Sequence, residues 1–223
     1  MVFTVIISHD GDPINLWFTT TAIDLQMEEL DVSYEYRIVS HGNTYAEVAP
    51  YIQQIKSASL LGSWQHFTER LGSDTARQRA SVGAKGQILY FSEDHILIGP
   101  LYFKQALAHF NHVDALHTGL KQFTADTKNY HYVLNGLHNF VGIGESSVPL
   151  DPFKPYRIAI GNHGSFFVRR DVFEEVGGYG PEGLHPGYCG EEQYFDLKLA
   201  LLDKTNWLDP VMTHYHYTER AGG

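Results

Sequence analysis

Gln87-Ile88-Leu89-Tyr90-Phe91-Ser92-Glu93-Asp94 sets the architecture of this chain. Four large apolar residues in a row suit a strand covered on both faces of a parallel sheet. The two acids that follow are costly to desolvate unless they meet a cation or hydrogen-bond donors. The chain opens on the same pattern: Val2-Phe3-Thr4-Val5-Ile6-Ile7 runs into Ser8-His9-Asp10, and Gly11-Asp12-Pro13 makes a turn that can open a helix.

Between these two strands the chain alternates. Ile14, Leu16, Trp17, Ala22, Ile23, Leu25 and Leu30 form an apolar helical stripe. Tyr34 to Val39 reads as a second strand, ended by Ser40-His41-Gly42-Asn43. Tyr45 to about Ile55 reads as a helix with a break or kink at Pro50. Leu60 to Phe67 is a third strand, and Ser73-Asp74 caps a helical stretch holding Ala76, Arg77, Ala80 and Ala84. The β-α-β-α order predicts an α/β protein with a right-handed, parallel, doubly wound sheet. Ligands of such sheets bind beyond the carboxyl ends of the strands, where His9-Asp10 and Ser92-Glu93-Asp94 both fall.

The second half reads differently. Tyr102 to about Leu116 predicts a helix, and Tyr130 to Leu150 has no firm period. Arg157 to Ile160 and Ser165 to Arg169 suggest a hairpin-like pair around Gly161-Asn162-His163-Gly164. Asp171 caps a short helix that ends at Gly177-Gly178. Gly190 to Leu202 predicts a helix with Phe195, Leu197, Leu199 and Leu202 available for burial, and Trp207 to Tyr217 a closing strand. With no repeat and no long linker, a single domain is expected over 1–223.

Composition bounds the function. At 223 residues, about 70% of the unfolded chain's surface can be buried, so no staple is needed. Thirteen Phe, fourteen Tyr and three Trp argue against disorder. A net charge of −10 disfavours unassisted nucleic-acid binding, leaving only a local basic face such as Arg157, Arg169 and Arg170 for it. One cysteine, Cys189, makes an internal disulfide impossible and points to a reducing, cytoplasmic setting. No basic leader or long apolar run is found, so neither a signal peptide nor a membrane span is expected. Cys189 lies beside acids, which disfavours a low thiol pKa. Gly142-Ile143-Gly144 is not a complete phosphate-loop fingerprint.

Several clusters could carry chemistry. Ser92-Glu93-Asp94 is either a solvated strand-to-loop turn or an oxygen-rich site for Mg²⁺ or Mn²⁺ bridging substrate phosphates. Glu191 and Glu192 open a helix, where acids complement the dipole or where one carboxylate serves as a general base. His214 and His216 alternate on a strand and face one side, as a packed pair or as imidazoles completing a metal shell. Arg77 and Lys85 are solvated cations or partners of a diphosphate. Trp64, Tyr179 and Tyr188 are core aromatics or stacking faces for a sugar.

The order of these pieces resembles a family-two-type glycosyltransferase with the GT-A fold, over most of the chain. Val5-Ile6-Ile7-Ser8-His9-Asp10 is similar to that family's first strand and nucleotide-holding turn. Ala76-Arg77-Gln78 followed by Ala84-Lys85-Gly86 resembles its Ala-Arg-Asn…Ala-x-Gly run, which leads into the strand bearing an Asp-x-Asp metal motif. Gly164-Ser165-Phe166-Phe167-Val168-Arg169-Arg170 with Phe173 and Gly177-Gly178-Tyr179 is similar to its Arg-x-x-Phe-x-x-x-Gly-Gly-Phe segment, and Gly190-Glu191-Glu192 to its Gly-Glu-Asp motif. Ser92 stands where the first Asp of the metal motif is usual, Ser40 where an Asp near the base is frequent, and Glu192 where the catalytic Asp is usual.

The resemblance implies a central, mostly parallel sheet flanked by helices, with a nucleotide-sugar half over about 1–98 and an acceptor half over about 99–223. It implies metal-dependent, inverting transfer from a nucleoside-diphosphate sugar, a UDP-sugar being the expected donor, to a carbohydrate or other hydroxyl, a modified nucleobase included. Glu192 is then the base with Glu191 beside it. Asp94 with His214 or His216 holds Mn²⁺ or Mg²⁺. Ser8, His9, Asp10, Ser40, Arg77, Lys85, Ser92 and Glu93 line the donor, and Tyr179 and Tyr188 the acceptor. Nucleotidyl transfer onto a sugar phosphate and a non-catalytic glycan-binding module are the competing readings.

Overall fold

Phe3–His9 forms β1, with all seven residues buried. Alternate side chains go to opposite faces, so Phe3, Val5 and Ile7 join one apolar cluster and Ile6 the other. Burial on both faces is why the strand reads as an unbroken apolar run rather than an alternating one. The computed structural model describes residues 1–42, 45–123, 154–158, 161, 164–180 and 191–217.

Helix α1 (Pro13–Leu30) starts where Asp12 accepts from the amide of Ile14 at 3.0 Å, with Pro13 in its first turn. Its buried face is Leu16, Thr19, Thr20, Ile23 and Met27, whereas Ile14, Trp17 and Leu25 of the expected stripe are exposed. The two threonines explain the difference: both bury by donating their hydroxyls to backbone carbonyls. Strand β2 (Tyr34–His41) leads to α2 (Tyr45–Ser57), which continues through Pro50 without a break. Strand β3 (Leu61–Phe67) precedes α3 (Ser73–Ser81). Gly72 holds the N-cap position of α3 without a side-chain bond, so Ser73-Asp74 sits inside the helix, and Ala84 lies beyond its end.

Strand β4 (Ile88–Glu93) carries Ser92 and Glu93 within the strand. It is followed by β5 (Ile96–Ile98) and α4 (Tyr102–His109). Helix α4 stops well short of Leu116, because Ala115–Phe123 is strand β6. Strand β7 (Tyr156–Arg157) pairs with β9 and not with β8 (Ser165–Arg169), so among the described residues the expected hairpin does not form; residues 159, 160, 162 and 163 of it lie outside them. Helix α5 (Arg170–Glu175) is capped at Arg169, and Asp171 sits in its first turn, accepting from the amide of Val172. Helix α6 (Glu191–Leu201) buries Phe195 and Leu199, while Leu197 and Leu202 face outward. Strand β9 (Asn206–Tyr217) closes the described chain.

The strands form one sheet in the order β3-β2-β1-β4-β8-β6-β9-β5, with β7 beside β9. The β3-β2-β1-β4 side is parallel, as the sequence pattern predicts. Beyond it the sheet is mixed: β8 runs antiparallel between β4 and β6, β6 and β9 are parallel, and β5 is antiparallel to β9. One apolar layer packs the sheet against α1, α2 and α4, and the other against α3, α5 and α6. Among the described residues no helix is long and apolar enough to cross a membrane.

Candidate functional site

The end of β4 meets the end of β9 through a short third strand. Pairing of β5 with β9 sets Ile96 opposite His216, so β9 delivers His216 beside His95, the residue between Asp94 and β5. Nε2 of His95 lies 2.9 Å from Nε2 of His216. Oε2 of Glu93 lies 3.0 Å from Nε2 of His216 and 3.2 Å from Nε2 of His95. Glu93, His95 and His216 are each about one quarter exposed, so the three donors converge at the surface of the site.

The electrostatics fit a cation at this point. Burial alone pushes the Glu93 carboxyl up, but hydrogen bonds from His216 and His95 and the Arg77 guanidinium hold it well below the usual carboxylate range. Burial opposes charge on His95, yet its bonds to Asp94 and Glu93 push it up to about 10. A protonated imidazole thus occupies the position of positive charge, and a divalent ion would displace that proton. Two imidazoles and one carboxylate suit a divalent first-row transition ion, with coordination positions left over for substrate oxygens.

The expected metal set therefore needs correction. Asp94 is completely buried behind His95: Oδ1 meets Nδ1 of His95 at 2.7 Å, while Oδ2 meets Nδ1 of His9 at 2.5 Å and accepts from the Gly11 amide at 3.3 Å. Burial pushes its carboxyl up, but the two histidines hold it at about 2. His214 is also fully buried, its Nδ1 2.8 Å from the Thr118 hydroxyl, and burial pushes its imidazole down to about 3. The groups that converge with His216 are Glu93, expected on the donor, and His95, which no motif singled out. The overlooked signal was the Glu93-x-His95 spacing, two apart at a strand end.

The donor-side residues separate by position. Ser8 and Ser40 sit at the carboxyl ends of β1 and β2, their hydroxyls engaged by histidines. Nε2 of His41 lies 3.3 Å from Ser8 Oγ, and Nδ1 of His66 lies 2.9 Å from Ser40 Oγ, which also accepts from the Trp64 indole at 2.8 Å. The Leu71 amide donates to Nδ1 of His41, which assigns the proton to Nε2. Tyr45, largely exposed, stacks on Trp64 with centroids 4.8 Å apart and rings 28° from parallel. Asp10 is partly exposed in the loop before α1.

Four other expected donor contacts are buried or displaced. His9 is buried against Asp94. Arg77 is fully buried, 3.3 Å from Glu93 and 3.4 Å from Asp74, so it neutralises acids instead of meeting phosphate. Ser92 is buried in the sheet, donating to the Glu93 carbonyl. Lys85 is exposed but lies before β4, where Gly86 donates to Thr4 near the start of β1. That is the amino end of the strands, opposite the site.

On the acceptor side, Tyr179 is core: its ring packs against Phe91, Phe173 and Phe195. Tyr188 lies outside the described residues. Glu191 and Glu192 are the first residues of α6. Helix α6 contacts β9 and joins it through the short turn at 202–205. Asp196, one turn on and fully buried, anchors the helix by accepting from the Gly161 amide at 2.6 Å and the Asn206 side chain at 3.1 Å.

No family model and no curated protein matches the chain. Solved structures do. GalNAc-T7, in a crystal structure with UDP, GalNAc and Mn²⁺, superposes with a TM-score of 0.78 at 19% identity, over 99% of this chain and 44% of that one. The fold is GT-A. Two further GT-A structures agree. S. aureus TarS 1–349 in complex with UDP-GlcNAc gives a TM-score of 0.68 at 18% identity, over 100% of this chain and 60% of that one. A mannosyltransferase from Pyrobaculum calidifontis, in complex with GDP-Man and Mn²⁺, gives 0.68 at 16% identity, over 99% and 58%. The chain thus spans about half the length of these proteins.

Proposed function

We propose that this chain is a glycosyltransferase that moves a sugar from a nucleoside-diphosphate sugar to an acceptor hydroxyl, dependent on Mn²⁺ or Mg²⁺ held by Glu93, His95 and His216. The convergence of these three donors at the carboxyl ends of β4 and β9 in a GT-A sheet carries the reading. The complexes of the structural neighbours with UDP-GlcNAc, with UDP and Mn²⁺, and with GDP-Man and Mn²⁺ support the substrate class.

A divalent ion bound there supplies charge that stabilises a departing diphosphate. Arg77 keeps Glu93 ionised beneath the ion position. The face of Tyr45 stacked on Trp64, beside Ser40 and His66, is suited to a planar base. Glu192, at the head of α6, takes the proton of the acceptor hydroxyl as it attacks opposite the leaving diphosphate, which inverts the anomeric centre. General-base help of this kind is worth about 10²–10⁴-fold, so orientation and electrostatics do the larger part.

A panel of nucleotide sugars with Mn²⁺, read by diphosphate release, tests the proposal. Release is expected with one donor, abolished by chelation and by His95→Ala, and reduced about 10²–10⁴-fold by Glu192→Gln with nucleotide binding retained. NMR of the product should show the inverted anomer. Pyrophosphate release would indicate nucleotidyl transfer, and carbohydrate binding without nucleotide or metal affinity would indicate a binding module.

A further inference from the structure

Asp94 stands behind the metal-ligand candidates instead of among them. Its two oxygens face two histidines, His95 at 2.7 Å and His9 at 2.5 Å, both through Nδ1, and the second oxygen also accepts from the Gly11 amide at 3.3 Å. The Asp94 side chain is 1% exposed and that of His9 0%, so both are closed to substrate. Thr19 of α1 fixes the same segment from the backbone side, donating to the carbonyls of Asp94 at 2.6 Å and Ile96 at 3.0 Å. A histidine that binds a metal through one ring nitrogen donates its proton from the other, and the acceptor of that proton sets tautomer and ring orientation. With Nδ1 turned to Asp94, His95 presents Nε2 to Glu93 and His216.

We propose that Asp94 is a positioning residue for the metal. The row His9-Asp94-His95 locks His95 as the Nδ1–H tautomer with its Nε2 lone pair on the cation. Asp94 thereby ties the loop between β1 and α1, through Gly11 and His9, to the geometry of one metal ligand. The inference rests on the reading that Glu93, His95 and His216 hold a divalent ion. It assigns Asp94 to orientation and not to coordination.

The test measures Mn²⁺ binding to the full chain by calorimetry and by the loss of the free-Mn²⁺ electron paramagnetic resonance signal. Wild type, Asp94→Asn, His9→Gln and His216→Ala are compared. Asp94→Asn is expected to bind 10- to 100-fold more weakly, the usual consequence of losing a carboxylate behind a ligating histidine. His9→Gln, which removes only the far end of the row, should lose less. Nitrogen-15 and proton NMR of the histidines in the Zn²⁺-loaded wild type should show His95 protonated at Nδ1 with that proton shifted downfield and slow to exchange because Asp94 accepts it, a signature that ligation through Nε2 alone would not produce and that needs no variant to fold. Undiminished Mn²⁺ affinity in Asp94→Asn, or His95 without its Nδ1 proton in the loaded wild type, overturns the inference alone. Failure of the wild type to bind any divalent ion overturns the metal reading and the inference with it.

Discussion

Among the described residues, Arg77 is the largest side chain without exposed surface, and its position decides what it does. A guanidinium between Glu93, about one quarter exposed, and the buried Asp74 offsets the charge of both carboxylates. Removing one partner of a buried pair leaves uncompensated charge, at a cost of about 3–5 kcal/mol. Arg77→Met should therefore lose about 3 kcal/mol of stability in urea unfolding, with weakened Mn²⁺ binding as Glu93 becomes easier to protonate. His41 offers a pH-dependent case. Burial pushes its imidazole below the ordinary 6.5, with Asp10 opposing. The folded state keeps it neutral while the unfolded chain protonates it near 6.5. Its contribution is thus fully present above that pH and is lost as pH falls toward the folded-state value. His41→Gln should lose less stability than wild type between about pH 7 and 5, as urea midpoints at the two values would show. Equal losses would refute this assignment.

At the scale of elements, α2 contains a fault. Pro50 lies beyond the first turn of Tyr45–Ser57, where its missing N–H and its ring each weaken a helix. The helix persists because Val48, Ile52 and Ile55 are buried against the sheet, and packing outweighs propensity. Replacing Pro50 by Ala should raise stability by about 1–3 kcal/mol, with an upward Tm shift of a few degrees by calorimetry. Gly86 presents the opposite case: a Cβ there would run into the backbone of Phe3 and Thr4, so the close approach of the segment before β4 to β1 requires glycine. Gly86→Ala should cost about 1–3 kcal/mol in chemical denaturation. The β5–β9 register matters most for the site. A slip of one residue would turn His216 to the other face and leave Glu93 and His95 without their third partner.

For the whole molecule, binding at the site is linked to folding. A ligand at a hundredfold its Kd, bound to the native state alone, adds about 2.7 kcal/mol. Mn²⁺ with the cognate nucleoside diphosphate should therefore raise Tm by about 5–10 °C in a chain of this size, and the rise should vanish in His95→Ala. A rise that persists in His95→Ala would move the ion elsewhere.

The parallel half of the sheet was legible because strands buried on both faces must be apolar throughout, as Val5 to Ile7 and Ile88 to Phe91 are. The second half was less so. The apolar residues from Val113 to Leu116 fit the end of a helix or the start of a strand, and only the pairing of β6 with β8 and β9 chose the strand. Gly161-Asn162-His163-Gly164 has the composition of a hairpin turn, yet β8 found its partners in β4 and β6. The sequence by itself determined the alternation of elements in the first half, the strands buried on both faces and the acids at the end of β4. Tertiary structure alone decided that Glu93 and His95, and not Asp94 and His214, meet His216. Residues 121 and 123 positions apart converge only through nonlocal strand register, which no local pattern encodes, and the same packing buried Asp94 and Arg77 where they serve the ligands from behind.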